Sequence, residues 1–126
     1  MADTGLAAGA LAWLEDAGYA PTRLAVIAPL ALVMSNTIGN VPAVVLLTEL
    51  WPDLSTGALY AVALLSTLAG NFLIVGSIAN LIVAERAQAV GVRLTFADFA
   101  RAGVPIATIT MTLAVAWLAA TGLVPW

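Results

Sequence analysis

The chain has 126 residues, 63% of them hydrophobic and 9% charged, with a formal net charge of −3 and a mean hydropathy of +1.06. Soluble domains carry about a quarter charged residues, so this composition points to an integral membrane protein; no basic patch exists, which excludes nucleic acid as a partner. Cys and His are absent, which removes disulfides, thiol chemistry, the usual zinc ligands and the easiest general base, so neither an enzyme nor a bound cofactor is expected.

Met1 to Thr4 has no Lys or Arg, so no secretory signal is expected. Gly5 to Leu14 is apolar but shorter than the roughly 20 residues a span needs. Residues 1–23 are therefore expected to form an interfacial segment with an interfacial N-terminal helix. Its Gly5-x-x-x-Gly9 pair is a weak helix-packing signal.

Residues 24–50 hold two uncharged apolar arms, Leu24 to Met34 and Ala43 to Leu47, around Ser35-Asn36-Thr37-Ile38-Gly39-Asn40-Val41-Pro42. Two readings are open. One is a single span kinked at Pro29 and Pro42. The other is a re-entrant helical hairpin with its tip at Ser35 to Pro42. Each arm would rise about 15 to 18 Å, enough to reach the middle of a hydrocarbon core about 30 Å thick. The charge distribution favours the span, because it would place Arg23 with the other Arg residues. The polar, Gly- and Pro-broken centre favours the hairpin, since broken backbone survives in lipid only where protein or water covers it.

Glu49 to Asp53 reads as an interfacial loop, and Ser55 or Thr56 as the cap of the next helix. Residues 57–84 are apolar for longer than one span needs, but Gly70-Asn71, Gly76-Ser77 and Asn80 interrupt them. This predicts a discontinuous transmembrane helix, broken near residues 70–77. Residues 85–102 are a charged connector, with a surface helix over Thr95 to Arg101. Residues 103–122 are the final transmembrane helix, followed by Pro125-Trp126. The positive-inside rule puts residues 85–101 and Arg86, Arg93 and Arg101 in the cytoplasm, and the C-terminus outside. Trp51, Tyr60, Trp117 and Trp126 then form an outer aromatic belt. The fold expected is thus an all-α membrane protein in one membrane domain.

Half-helices that end inside a membrane expose N–H groups and a positive dipole end to anions, or carbonyls to Na⁺. Secondary transporters build midplane sites this way. Ser35, Asn36, Thr37 and Asn40 at one break, and Asn71, Ser77 and Asn80 at the other, offer neutral donors and acceptors. Each has a plainer use as well, bonding to the preceding turn or gluing helices together. Glu85 beside Arg86 reads as an interfacial ion pair or helix end. No carboxylate lies deeper, so a buried proton carrier is not expected.

Three stretches resemble the C-terminal part of the ion transporter superfamily, in its citrate-transporter-like group, nearest the arsenite permease and sodium/proton antiporter branch. They are Met34 to Ala43, Ser66 to Glu85, and Gly91 to Pro105. The resemblance implies two inverted repeats, each with a re-entrant hairpin and a broken helix, an elevator-like movement, and a homodimer. It implies that Ser35-Asn36-Thr37 is a hairpin tip, and that Gly70-Asn71 and Gly76-Ser77 line a break. It also implies that this chain is the end of the second repeat. The first repeat would then lie in the same longer chain or in a separate subunit. Expected partners are the lipid bilayer and that first repeat. The function expected is part of a secondary transporter. It would move an arsenite-like oxyanion, a dicarboxylate or a similar anion, or exchange Na⁺ and H⁺, with either ion as the coupling ion. A non-transporting membrane subunit and a small dimeric drug exporter are the alternatives. The exporter lacks the acidic residue such proteins need deep in an early helix, because Glu15-Asp16 closes a segment instead.

Overall fold

The computed structural model describes Gly9, Ala12, Trp13, Asp16 to Gly18 and Thr22 to Trp126. The expected N-terminal interfacial helix falls largely outside the described residues. The described chain is helical, with no strand among the described residues. Its elements are α1 (Leu24–Ile38), α2 (Asn40–Leu50), α3 (Thr56–Ala69), a 3₁₀ turn (Ile74–Gly76), α4 (Ile78–Ala89) and α5 (Phe96–Ala120).

α1 and α2 are a helical hairpin, joined by Gly39 alone. Gly39 has φ +94° and ψ 152°, a conformation that essentially only glycine adopts without strain. The tip is therefore narrower than the sequence suggests. Ser35 to Ile38 complete the last turn of α1, and Asn40 to Pro42 form the first turn of α2. Pro42 fits there because the first turn of a helix has no intrahelical use for its N–H. Pro29 lies inside α1, which continues through it.

The two ends of the chain segment 24–57 return to one place. The Leu24 N–H donates to the Pro125 carbonyl at 2.8 Å. Gly57 is pressed on Leu123, so closely that a Cβ on Gly57 would stand 1.9 Å from the Leu123 carbonyl oxygen. Leu24, Leu47, Trp51, Ala58, Leu118 and Val124 share one buried cluster. A continuous helix from Leu24 to Leu50 would be about 40 Å long and would separate Leu24 from Trp51. The chain folds back instead at Gly39.

α1 packs chiefly on α3. Leu24, Ile27, Ala31 and Ser35 of α1 are buried, as are Ala58, Ala61, Val62, Leu65, Ser66 and Ala69 of α3. Both sets follow a helical spacing of three and four. The alanines let the two backbones approach closely. Ser55 caps α3 by accepting from the Ala58 N–H at 3.3 Å.

The surface helix and the final span are not separate. Thr95 and Asp98 form a capping box that starts α5 at Phe96, and the helix then runs unbroken for 25 residues, through Gly103 and Pro105. The charges of the first turn and the Gly-x-Pro triplet look like a boundary in sequence. In the fold, Pro105 forfeits one backbone bond and the remaining turns carry the helix on. At 1.5 Å per residue α5 is about 37 Å long, and it is long and apolar enough to cross a membrane. α1, α2 and α3 are apolar but have 15, 11 and 14 residues, about 16 to 22 Å each, short of a full crossing. α4 has no buried residue.

Candidate functional site

The hairpin tip meets the interruption between α3 and α4. α3 ends as the Asn71 and Phe72 N–H groups turn back to the Leu68 and Ala69 carbonyls, at 3.2 and 3.1 Å. Helix resumes at Ile78, where Ser77 accepts from the Ala79 N–H at 3.3 Å as N-cap. Between them, Gly70 and Gly76 lie face to face. A Cβ on Gly76 would stand 2.6 Å from the Gly70 carbonyl oxygen, so neither position has room for a side chain.

Two carboxamides organise this loop. Asn36, from the last turn of α1, donates to the Leu32 and Ala69 carbonyls, both at 2.9 Å. Its Oδ1 accepts the Leu73 N–H at 3.1 Å. Asn80, from the first turn of α4, reaches back across the break and donates to the Gly70 carbonyl at 2.8 Å and the Leu73 carbonyl at 3.4 Å. The Leu73 N–H and the Gly70 carbonyl have no backbone hydrogen bond among the described residues, whereas the Ala69 and Leu73 carbonyls also accept the Phe72 and Gly76 N–H groups. In an apolar setting the first two would otherwise carry a heavy desolvation cost.

The other expected site residues divide. Asn40 joins the junction: its Cβ would lie 3.4 Å from a Cβ on Gly70, and its Oδ1 accepts the Val41 N–H at 3.0 Å. Ser35, in the same last turn of α1, is buried and donates to the Ser66 carbonyl at 3.1 Å. Thr37 is exposed and bonds back to the Val33 carbonyl at 2.7 Å. Asn71 is also exposed, with a long 3.4 Å contact to the Thr67 carbonyl. An open groove of about 380 Å³ beside the tip is lined by Leu32, Val33, Asn36, Thr37, Phe72 and Leu73.

Gly103 and Ser66 belong to the junction and are not among the residues singled out in the sequence. Gly103 of α5 is buried against the loop, where a Cβ would stand 2.4 Å from the Asn71 carbonyl oxygen. Its small size was the available signal, masked by its reading as a helix start. The Ser66 hydroxyl is buried with no hydrogen-bond partner among the described residues.

The junction is electrically balanced. The C-terminal ends of α1 and α3 and the N-terminal ends of α2 and α4 converge on it, so partial negative and partial positive dipole ends face one region. None of the side chains there ionises. No group of three or more His, Cys, Asp or Glu suited to a metal is present among the described residues.

No family model matches the chain, and no solved structure matches it. It is similar to a Dictyostelium discoideum protein described as "Putative transporter arsB", at 40% identity over 91 residues. That alignment covers 68% of this chain and 16% of the relative.

Proposed function

We propose that this chain is part of a secondary membrane transporter whose solute site lies where the α1–α2 tip meets the α3–α4 break. The observation that carries the reading is the convergence of two helix interruptions on one neutral polar junction, braced by Asn36 and Asn80. Broken backbone is tolerated in a bilayer when it is covered by protein or lines a cavity, and transporters use such breaks to bind ions and solutes. Three apolar helices too short to cross, beside one long enough, fit a re-entrant hairpin and a discontinuous helix next to a full span. The similarity to a transporter by name supports the same class.

The solute is an anion, such as an arsenite-like oxyanion or a dicarboxylate, or the site exchanges Na⁺ and H⁺. The α2 and α4 N-termini suit an anion, and the loop carbonyls suit a coupling Na⁺. Asn40, Asn71, Thr37 and Ser77 supply neutral contacts. Residues 85–101 lie on the cytoplasmic side and residues 121–126 on the outer side. A preceding repeat, in the same chain or a separate subunit, supplies the other half of the site, and the complete transporter is a homodimer.

Reconstituting the full-length protein in vesicles and assaying arsenite, a dicarboxylate, sulfate and Na⁺/H⁺ exchange tests this. Uptake of one of these that falls at least tenfold in Asn71→Ala, with insertion intact, is the expected result. Failure of the protein to move any of them would favour a non-transporting subunit.

A further inference from the structure

We propose that Asn36 and Asn80 are positioning residues: their carboxamides hold the Gly70–Gly76 loop between the half-helices, and the solute is met by other groups. This rests on the transport reading of the junction. A carboxamide has two N–H donors and one carbonyl oxygen. Asn36 uses both donors and its oxygen on backbone, in three bonds of 2.9 to 3.1 Å, two of them to the loop region. Asn80 directs its Nδ2 to the Gly70 and Leu73 carbonyls. A solute would have to strip partly buried groups of bonds that the loop backbone needs. The Asn36 oxygen is also pressed on the loop, since a Cβ on Gly76 would come 2.8 Å from it.

Asn71 and Asn40 differ in kind. The Asn71 side chain is exposed, and its one hydrogen bond is the 3.4 Å contact to Thr67. Asn40 spends only its Oδ1, on the adjacent Val41 N–H. Four asparagines of similar appearance in sequence thus separate into two whose carboxamides hold the loop and two whose carboxamides make no bond across it. Because Asn36 belongs to α1, the shape of the break depends on the hairpin, and the tip and loop move together.

Hydrogen exchange on the full-length protein in lipid nanodiscs, with no solute present, tests the assignment. Asn36→Ala and Asn80→Ala should each speed exchange of the 70–77 amides about tenfold or more, as loss of bonds to otherwise unpartnered backbone requires. Residues 24–34 and 58–65 should keep their protection. Asn36→Asp, which retains the acceptor for Leu73 and loses the donors, should fall between. Asn71→Ala should leave solute-free exchange unchanged. Unaltered loop exchange in both Asn36→Ala and Asn80→Ala would overturn the proposal. So would faster exchange spread equally through α1 and α3, which would mark general fold support. Should Asn36→Ala fail to insert, Asn80→Ala carries the test. The exchange readout needs no transported solute, so a failure of the transport reading appears in the vesicle assay and leaves this result standing.

Discussion

Gly57 and Leu123 meet backbone to backbone, with no room for a side chain between them. The Leu24 to Pro125 hydrogen bond lies beside this contact in sequence. Together they fasten the root of the hairpin and the root of α3 to the turn after α5. Gly57→Val must push the Leu123 carbonyl away, and we expect a loss of about 1 to 3 kcal/mol of stability, read as a lower thermal midpoint of the purified protein. Gly9→Ala, at a position with nothing within 4 Å, should leave the midpoint unchanged. Equal midpoints for both variants would contradict the fastening.

Gly39 is the whole of the hairpin turn. Its φ of +94° with ψ 152° excludes L side chains at ordinary cost, so Gly39→Ala should cost on the order of 1 to 3 kcal/mol. The strain falls at the tip, so exchange of the Asn36 to Ala43 amides should rise before that of α3. An unchanged tip in the exchange profile would show that the turn tolerates a side chain.

On the proposed re-entrant arrangement, the hairpin sets which parts of the chain share a membrane face. Cysteines introduced as Thr22→Cys and Asp53→Cys should react with an impermeant reagent from one side, and Arg93→Cys from the other. The first pair flanks the α1–α2 hairpin, whereas residue 93 precedes the 25-residue α5 that separates the two ends. Labelling of residues 22 and 53 from opposite faces would remove the re-entrant arrangement.

Gly103 couples α5 to the break. A Cβ there would stand 2.4 Å from the Asn71 carbonyl oxygen and 3.1 Å from that of Phe72, and backbone cannot yield as a flexible side chain does. Gly103→Val is expected to displace the loop and reduce transport at least tenfold while the protein still inserts. Gly91→Asn tests an open glycine, where the side chain meets nothing and Asn tolerates a positive φ; it should keep near-normal transport. Full activity in Gly103→Val would mean that the loop need not contact α5.

Much of this arrangement is legible in the sequence because polar residues, glycines and prolines punctuate runs that are otherwise apolar. Gly70-Asn71 and Gly76-Ser77 bracket the observed interruption between Ala69 and Ile78. The tip is narrower than its polar run suggests, since Ser35, Asn36 and Thr37 tolerate a helical last turn when Thr37 bonds back one turn and Asn36 finds partners across the interface. Neither partner is visible along the chain, because Leu73 and Ala69 lie more than thirty residues away from Asn36. The division at residues 95–103 failed for a related reason. Gly103 reads as a breaker locally, yet it is small because another backbone passes against it.

Water access to the junction tests the central claim most directly. Residues 1–126 hold no cysteine, so in a complete transporter with any cysteines elsewhere replaced, Thr37→Cys and Asn71→Cys introduce defined thiols at the exposed edge of the tip and of the break. In vesicles, a charged water-soluble thiol reagent should modify both, although each lies deep within an apolar stretch, and the transported solute should slow both reactions several-fold. Reaction only with a lipid-soluble reagent, or protection of neither thiol by solute, would contradict a shared aqueous site at the meeting of the two breaks.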